Sequence, residues 1–181
     1  MTDLVLTVIG ADRPGLVEAV ADVVAKSGGN WLESRMARLA GKFAGILRVE
    51  IPDDKAQAVL AALAELENRG LKVGGEPASG ADVEAAGRSL DLELVGLDRP
   101  GIVREISQLL ASSGANVEEL STDRISAAMS GEMLFVAKAR VRLPSNADLS
   151  SLRAALERLA SDLMVEIKLV ETALEAKPRK N

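Results

Sequence analysis

An internal repeat constrains this chain more than any other feature. Shifted by 86 positions, Leu4–Arg38 lies over Leu90–Arg124, and 14 of the 35 aligned positions are identical. The identities are Leu4, Leu6, Gly10, Asp12, Arg13, Pro14, Gly15, Val17, Ala25, Ser27, Gly28, Asn30, Glu33 and Arg38. Most other pairs exchange one apolar residue for another, such as Leu16/Ile102 and Val20/Ile106. The densest match is GADRPGLV (Gly10 to Val17) against GLDRPGIV (Gly96 to Val103). After six extra residues in the second copy the match resumes, with Pro52 answering Pro144. Two copies of this length fit a pair of domains rather than a solenoid.

Each copy carries the same succession of patterns. LVLTVI and LDLELV are strand-like, the second alternating Leu90, Leu92 and Leu94 with acidic residues, so that one face is buried. The pattern then takes helical period, with apolar stripes at Leu16, Val17, Val20, Val23, Val24 and at Ile102, Val103, Ile106, Leu109, Leu110. SGGN and SGAN supply glycines for left-handed helix ends. Two strands follow in each copy, Trp31–Ala40 with Lys42–Ile51 and Val117–Ser126 with Met133–Leu143. Gly41 and Ser130–Gly131 are the expected hairpin turns. A second helix and a last strand close each unit, the strand weak at Leu71–Val73, where Gly74 and Gly75 degrade it, and clear at Met164–Val170. The order is β-α-β-β-α-β twice, an α+β class of two ferredoxin-like units. Right-handed crossovers give each an antiparallel four-stranded sheet with both helices on one face. The expected boundaries are 1–76 and 89–172 for the domains, 77–88 for a linker rich in small residues, and 173–181 for a flexible tail.

The composition narrows the chemistry. Cysteine, histidine and tyrosine are all absent, which removes thiolate chemistry, the commonest general base and the commonest metal ligand. No catalytic residue, metal or cofactor is expected. The net charge of −5 divides evenly, the first 80 residues holding nine basic and eleven acidic groups and the rest 13 and 16. Neither half is a basic module, so a direct grip on nucleic acid is not expected. The basic cluster KPRK (Lys177 to Lys180) reads as a solvated terminus. MTDLVLTVIG lacks the basic start of a signal peptide, and no apolar run reaches the ~20 residues of a membrane span. A cytoplasmic location is expected.

The repeated octet sits where the first strand turns into the first helix. Asp12 and Asp98 have the chemistry to cap the helix start, and Pro14 and Pro100 suit a first turn, so the octet can be read as a well-formed corner. A corner alone does not require Arg13 and Arg99, whose charge opposes the helix dipole. Backbone N–H groups at Gly15, Leu16, Gly101 and Ile102 would seat a small anion or carboxylate. Asp12 or Asp98 could hold an ammonium. Asn30 and Asn116 open the second strand, either as turn residues or as ligand amides. Arg38 and Arg124 recur in register and either line a cleft or form surface ion pairs. Glu118–Glu119 and Asp53–Asp54 read as solvated charges, and Trp31 is expected to pack near the first loop.

G-x-D-R-P-G-[LI]-V, written twice and followed each time by S-G-x-N, resembles the ACT domain, the small β-α-β-β-α-β regulatory module of amino-acid metabolism. A stand-alone tandem of this length is similar to the glycine cleavage system transcriptional repressor group. The resemblance implies an amino acid bound where two modules meet. Its site would comprise Gly10, Asp12, Arg13, Gly15, Leu16 and Asn30, with Gly96, Asp98, Arg99, Gly101, Ile102 and Asn116 in the second copy. It also implies a glycine-like ligand, control of a transcription factor through protein–protein contact, and a homo-oligomer. A regulatory subunit or sensor for a metabolic enzyme, or a ligand-free scaffold paired through sheet edges, satisfies the same pattern. An acylphosphatase-like enzyme is disfavoured because Pro14 removes an amide from the loop, and an RNA-binding module because its stacking aromatics are missing.

Overall fold

The computed structural model describes residues 1–78, 87–127 and 131–172. The chain divides into two compact units, Met1–Ala81 and Asp82–Asn181. The first contains β1 (Thr2–Ala11), α1 (Leu16–Lys26), β2 (Asn30–Leu39), β3 (Lys42–Ile51), α2 (Ala56–Ala64) and β4 (Leu71–Pro77). The second contains β5 (Gly87–Leu97), α3 (Ile102–Ser112), β6 (Asn116–Ser126), β7 (Met133–Pro144), α4 (Leu149–Leu163) and β8 (Val165–Glu171). Both sheets are antiparallel and four-stranded, ordered β2-β3-β1-β4 and β6-β7-β5-β8. The βαββαβ architecture read from the repeat is therefore present twice. No helix among the described residues is long and apolar enough to cross a membrane.

Strand alternation decides which face each sheet buries. Leu4, Leu6 and Val8 of β1 point inward with Leu47, Val49 and Ile51 of β3, all buried. The helices add Leu16, Val20, Val24, Val59 and Leu63 to that core. In the second unit Leu90, Leu92 and Leu94 meet Ile102, Ile106, Leu110, Leu152 and Leu156. Each such side chain contributes about 1.5–3 kcal/mol on burial, and no charged or polar residue is buried among them. The outward face is held by cross-strand ion pairs instead. Arg140 lies 3.2 Å from Asp91 and 3.8 Å from Glu119, and Lys138 lies 3.4 Å from Glu93.

Both first helices end in the same Schellman motif. Gly28 and Gly114 take φ of +74° and +72°. Gly29 N–H donates to the Val24 carbonyl at 3.0 Å and Ala115 N–H to the Leu110 carbonyl at 2.9 Å, which satisfies carbonyls left open at a helix end. The first hairpin turns through Ala40 and Gly41, both with positive φ, the pattern of a two-residue type I′ turn. The second hairpin closes through Ala127 N–H to Glu132 at 2.8 Å; Ser130 of its expected turn lies outside the described residues.

Two expectations need correction. The last strand of the first unit is not cut short by its glycines, because β4 pairs with β1 from Gly10↔Leu71 to Leu4↔Pro77. Gly75 lies under Leu60 and Leu6, where a Cβ would come within 2.5 Å of the Leu60 side chain. The helical segment 53–70 is not one continuous α-helix either, and α2 is flanked by 3₁₀ turns at Asp53–Lys55 and Glu65–Arg69. Of the expected linker, residues 79–86 lie outside the described residues, as does the expected tail 173–181.

The second helices of the two units also start differently. Asp148 caps α4, its carboxylate accepting from Ser150 N–H at 2.9 Å and from the Ser151 hydroxyl at 2.6 Å. Lys55 holds the N-cap position of α2 and caps nothing, while Asp53 in the preceding 3₁₀ turn accepts from the Thr2 hydroxyl at 2.6 Å and the Met1 ammonium at 3.0 Å. The hydrogen bond from Ser151, followed by that from Ser150, holds the Asp148 carboxyl below the usual aspartate range. A depressed carboxylate stabilises the folded state above its unfolded pKa and loses that contribution as pH falls through its folded value. Asp148→Ala should therefore lower the melting temperature by a constant amount from pH 8 to 5. Below about pH 3.9 the gap between variant and parent should narrow in thermal scans.

Candidate functional site

The strand-to-helix corners rest on one backbone conformation. Gly15 and Gly101 are the N-cap residues of α1 and α3, with φ of +88° and +96°. A side chain in this left-handed region costs roughly 1–2 kcal/mol. The next residues, Leu16 and Ile102, are buried in their cores and pin the helix start to the sheet. Their contribution to the corner is thus the main chain. The first helical hydrogen bonds run from Ala19 to Gly15 and from Glu105 to Gly101, both at 3.0 Å. The N–H groups of Leu16, Val17 and Glu18, and of Ile102, Val103 and Arg104, precede those bonds and form the positive end of each helix.

Asp12 and Asp98 do not cap these helices, since neither N-terminus carries a side-chain cap. Asp12 instead pairs with Arg38 at 2.6 Å, and Asp98 with Arg124 at 2.7 Å. Register explains the choice. Arg38 lies opposite Phe43, and Phe43 opposite Gly10; Arg124, Phe135 and Gly96 repeat the arrangement. Each aspartate is also held through its backbone, Asp12 N–H to Gly41 and Asp98 N–H to Met133, both at 2.9 Å. The arginines are 72% and 63% exposed, so each pair contributes only about 0–1 kcal/mol. Its effect is to position the loop. Of the two readings of Arg38 and Arg124, the ion pair is the one the structure contains.

The next residue separates the corners. Arg13 donates to the carbonyl of Arg69. Arg99 instead lies 3.4 Å from both carboxylate oxygens of Glu105, and its buried Nε has no partner. A carboxylate of the chain itself stands before each helix start. Glu18 and Glu105 come within 3.8 and 3.6 Å of where a Cβ on Gly15 or Gly101 would lie. An incoming carboxylate must compete with that side chain, and in the second unit it would gain the loosely held Arg99.

Gly10 and Gly96 are needed for packing. A Cβ on Gly10 would meet the Gly70 carbonyl at 2.7 Å, and one on Gly96 would meet Val165 at 2.2 Å. Asn30 and Asn116 are exposed at the opposite end of their sheets. Asn30 is level with Glu50 and Asp3, nine residues before Asp12, which is roughly 30 Å along a strand. Asn116 is level with Arg142 and Ser89 in the same way. Each unit by itself thus brings together Asp12, Arg13, Gly15 and Leu16, or Asp98, Arg99, Gly101 and Ile102, and leaves its asparagine apart. Trp31 also lies at that far end, level with Val49 and Leu4 and packed on the core, so it is not near the first loop. The acid pairs are engaged at the surface, with Glu118 on Arg142 at 2.5 Å and Asp53 on the N-terminus. Among the described residues, no three acidic, histidine or cysteine side chains form a group able to hold a metal.

ACT-domain family models match residues 2–73 and 86–165. A UPF0237 protein of Methanococcus maripaludis is 33% identical over 79 residues, 43% of this chain and 81% of its own length. The crystal structure of an unknown protein from Galdieria sulphuraria is 30% identical, covers 95% of this chain and 99% of its own, and superposes with a TM-score of 0.84. A crystal structure provisionally assigned as a glycine cleavage system transcriptional repressor shares the fold over 94% of this chain and 97% of its own, at 22% identity and a TM-score of 0.70.

The Asp98–Arg124 pair can be measured by a double-mutant cycle. Asp98→Ala, Arg124→Ala and the double variant, unfolded in urea, should give a coupling energy of about 0.2–1 kcal/mol that shrinks in high salt. A coupling above about 2 kcal/mol would contradict a role confined to positioning.

Proposed function

The chain belongs to the ACT-domain family, as two modules in tandem, and from that membership we propose that it is an amino-acid-responsive regulatory protein. It acts by contact with another protein and carries out no reaction of its own. The observation that carries the reading is the duplicated corner. Two left-handed glycines each place three N–H groups at a positive helix end, beside an aspartate fixed by an arginine. Such a corner complements a free amino acid: the N–H groups receive the carboxylate, and Asp12 or Asp98 receives the ammonium.

A small ligand suits the corner because a carboxylate and an ammonium on one carbon bridge a helix start and the neighbouring aspartate without needing a deep cavity. We assign a glycine-like ligand, with control of a transcription factor as the output, in the manner named for the glycine cleavage repressor whose fold the chain shares. Binding controls the partner by shifting population between two arrangements of the protein, and the ligand must favour one of them. The Arg99–Glu105 contact makes the second corner the more adaptable of the two.

Calorimetric titration of the full chain with the twenty amino acids tests this reading. Binding by one small amino acid is expected, weakened about tenfold or more in Asp98→Ala. Gly101→Val should weaken it as well, but the strained φ at Gly101 also lowers stability, so circular dichroism must accompany that variant. Absence of heat with every amino acid would refute the ligand.

A further inference from the structure

The two units differ most beside the first helix. In the second, α3 and strands β6 and β7 leave a shallow, open apolar groove. Val103, Ile106 and Leu110 line its helix side, and Val117, Leu120 and Thr122 its strand side. Every residue of β6 is exposed, and Val103, Val117 and Leu120 are 43%, 39% and 53% exposed. Among the described residues, the only polar side chains on the walls are those of Ser107 and Thr122, and no charged side chain lines the groove.

The first unit shows what this space accepts. By the registers of the two sheets, Trp31 stands where the second unit has Val117, Met36 where it has Thr122, and Leu47 where it has Ala139. Trp31 and Met36 pack on the first core, and Leu47 is part of it. An indole and a thioether thus cover in one unit the strip that the other leaves bare. Leu120, replacing Ser34, adds an apolar wall on the open side.

We infer that the second-unit groove is a binding site for a small uncharged planar aromatic group of indole size. Its faces would cover Val103, Val117 and Leu120, and its N–H would reach the hydroxyl of Ser107 or Thr122. The driving force is removal of apolar surface from water. Val103 borders both the groove and the second corner, but the ligands differ, because indole has neither the carboxylate nor the ammonium that a corner would hold.

The test is a titration of the isotope-labelled full chain with indole, followed by amide chemical shifts. Saturating shifts at Val103, Ser107, Leu120 and Thr122 are expected, with the corner amides of the first unit unmoved. Val117→Trp with Thr122→Met copies the first unit and should abolish the shifts while raising the melting temperature. Thr122→Lys, on an exposed strand position, closes the groove without demanding repacking and should weaken binding about tenfold or more. No saturable shift, or equal binding in Thr122→Lys, overturns the site. So does a wild-type dimer that Thr122→Lys converts to monomer in sedimentation, since a second copy would then be the occupant.

Discussion

The left-handed glycine at the end of each first strand governs the rest of its unit. With φ near +90° at Gly15 and Gly101, the chain leaves the sheet and immediately starts a helix whose first residue is buried. Leu16 and Ile102 then set the phase of the apolar stripe. Val20 and Val24, or Ile106 and Leu110, fall on the leucines of the central strand. The Schellman glycine at the far end returns the chain to the sheet edge. A side chain at the corner would have to bear a strained backbone or move the helix off its core.

The same geometry exposes chemistry that a better-satisfied corner would hide. Because glycine supplies no capping oxygen, the first N–H groups of the helix keep their positive end. The aspartate that might have capped them is drawn to Arg38 or Arg124 on the neighbouring hairpin. Each unit therefore keeps cationic and anionic elements apart but adjacent. The two corners have diverged in one respect. Arg13 is tied to a backbone carbonyl, whereas Arg99 is held only at 3.4 Å by Glu105.

The fold was legible because the duplication let each copy correct the other. The strand order, the helix stripes and the glycine helix ends all followed from residue periods and turn chemistry. The extent of β4 did not, because Gly74 and Gly75 weaken a strand by propensity, and only the overlying Leu60 explains why one of them is needed. The part of Asp12 in the corner was also hidden. Local sequence favours an N-cap, and the competing Arg38 arrives through two steps of strand pairing. Asn30 stands apart from the loop of its own unit for the converse reason: a right-handed crossover returns the chain to the start of the sheet, far from the loop that Asn30 follows by so few residues. The groove depends on comparing Trp31 with Val117 and Met36 with Thr122 in three dimensions, where bare exposure is visible and periodicity is silent.

We propose that the glycine corners receive an amino acid, and amide chemical shifts of the full chain on addition of glycine decide the point. Saturating shifts are expected, centred on Leu16, Val17 and Glu18 or on Ile102, Val103 and Arg104, with Asp12 or Asp98 moving in step. Saturable shifts that avoid both corners, or no saturable shift with any amino acid, would contradict it.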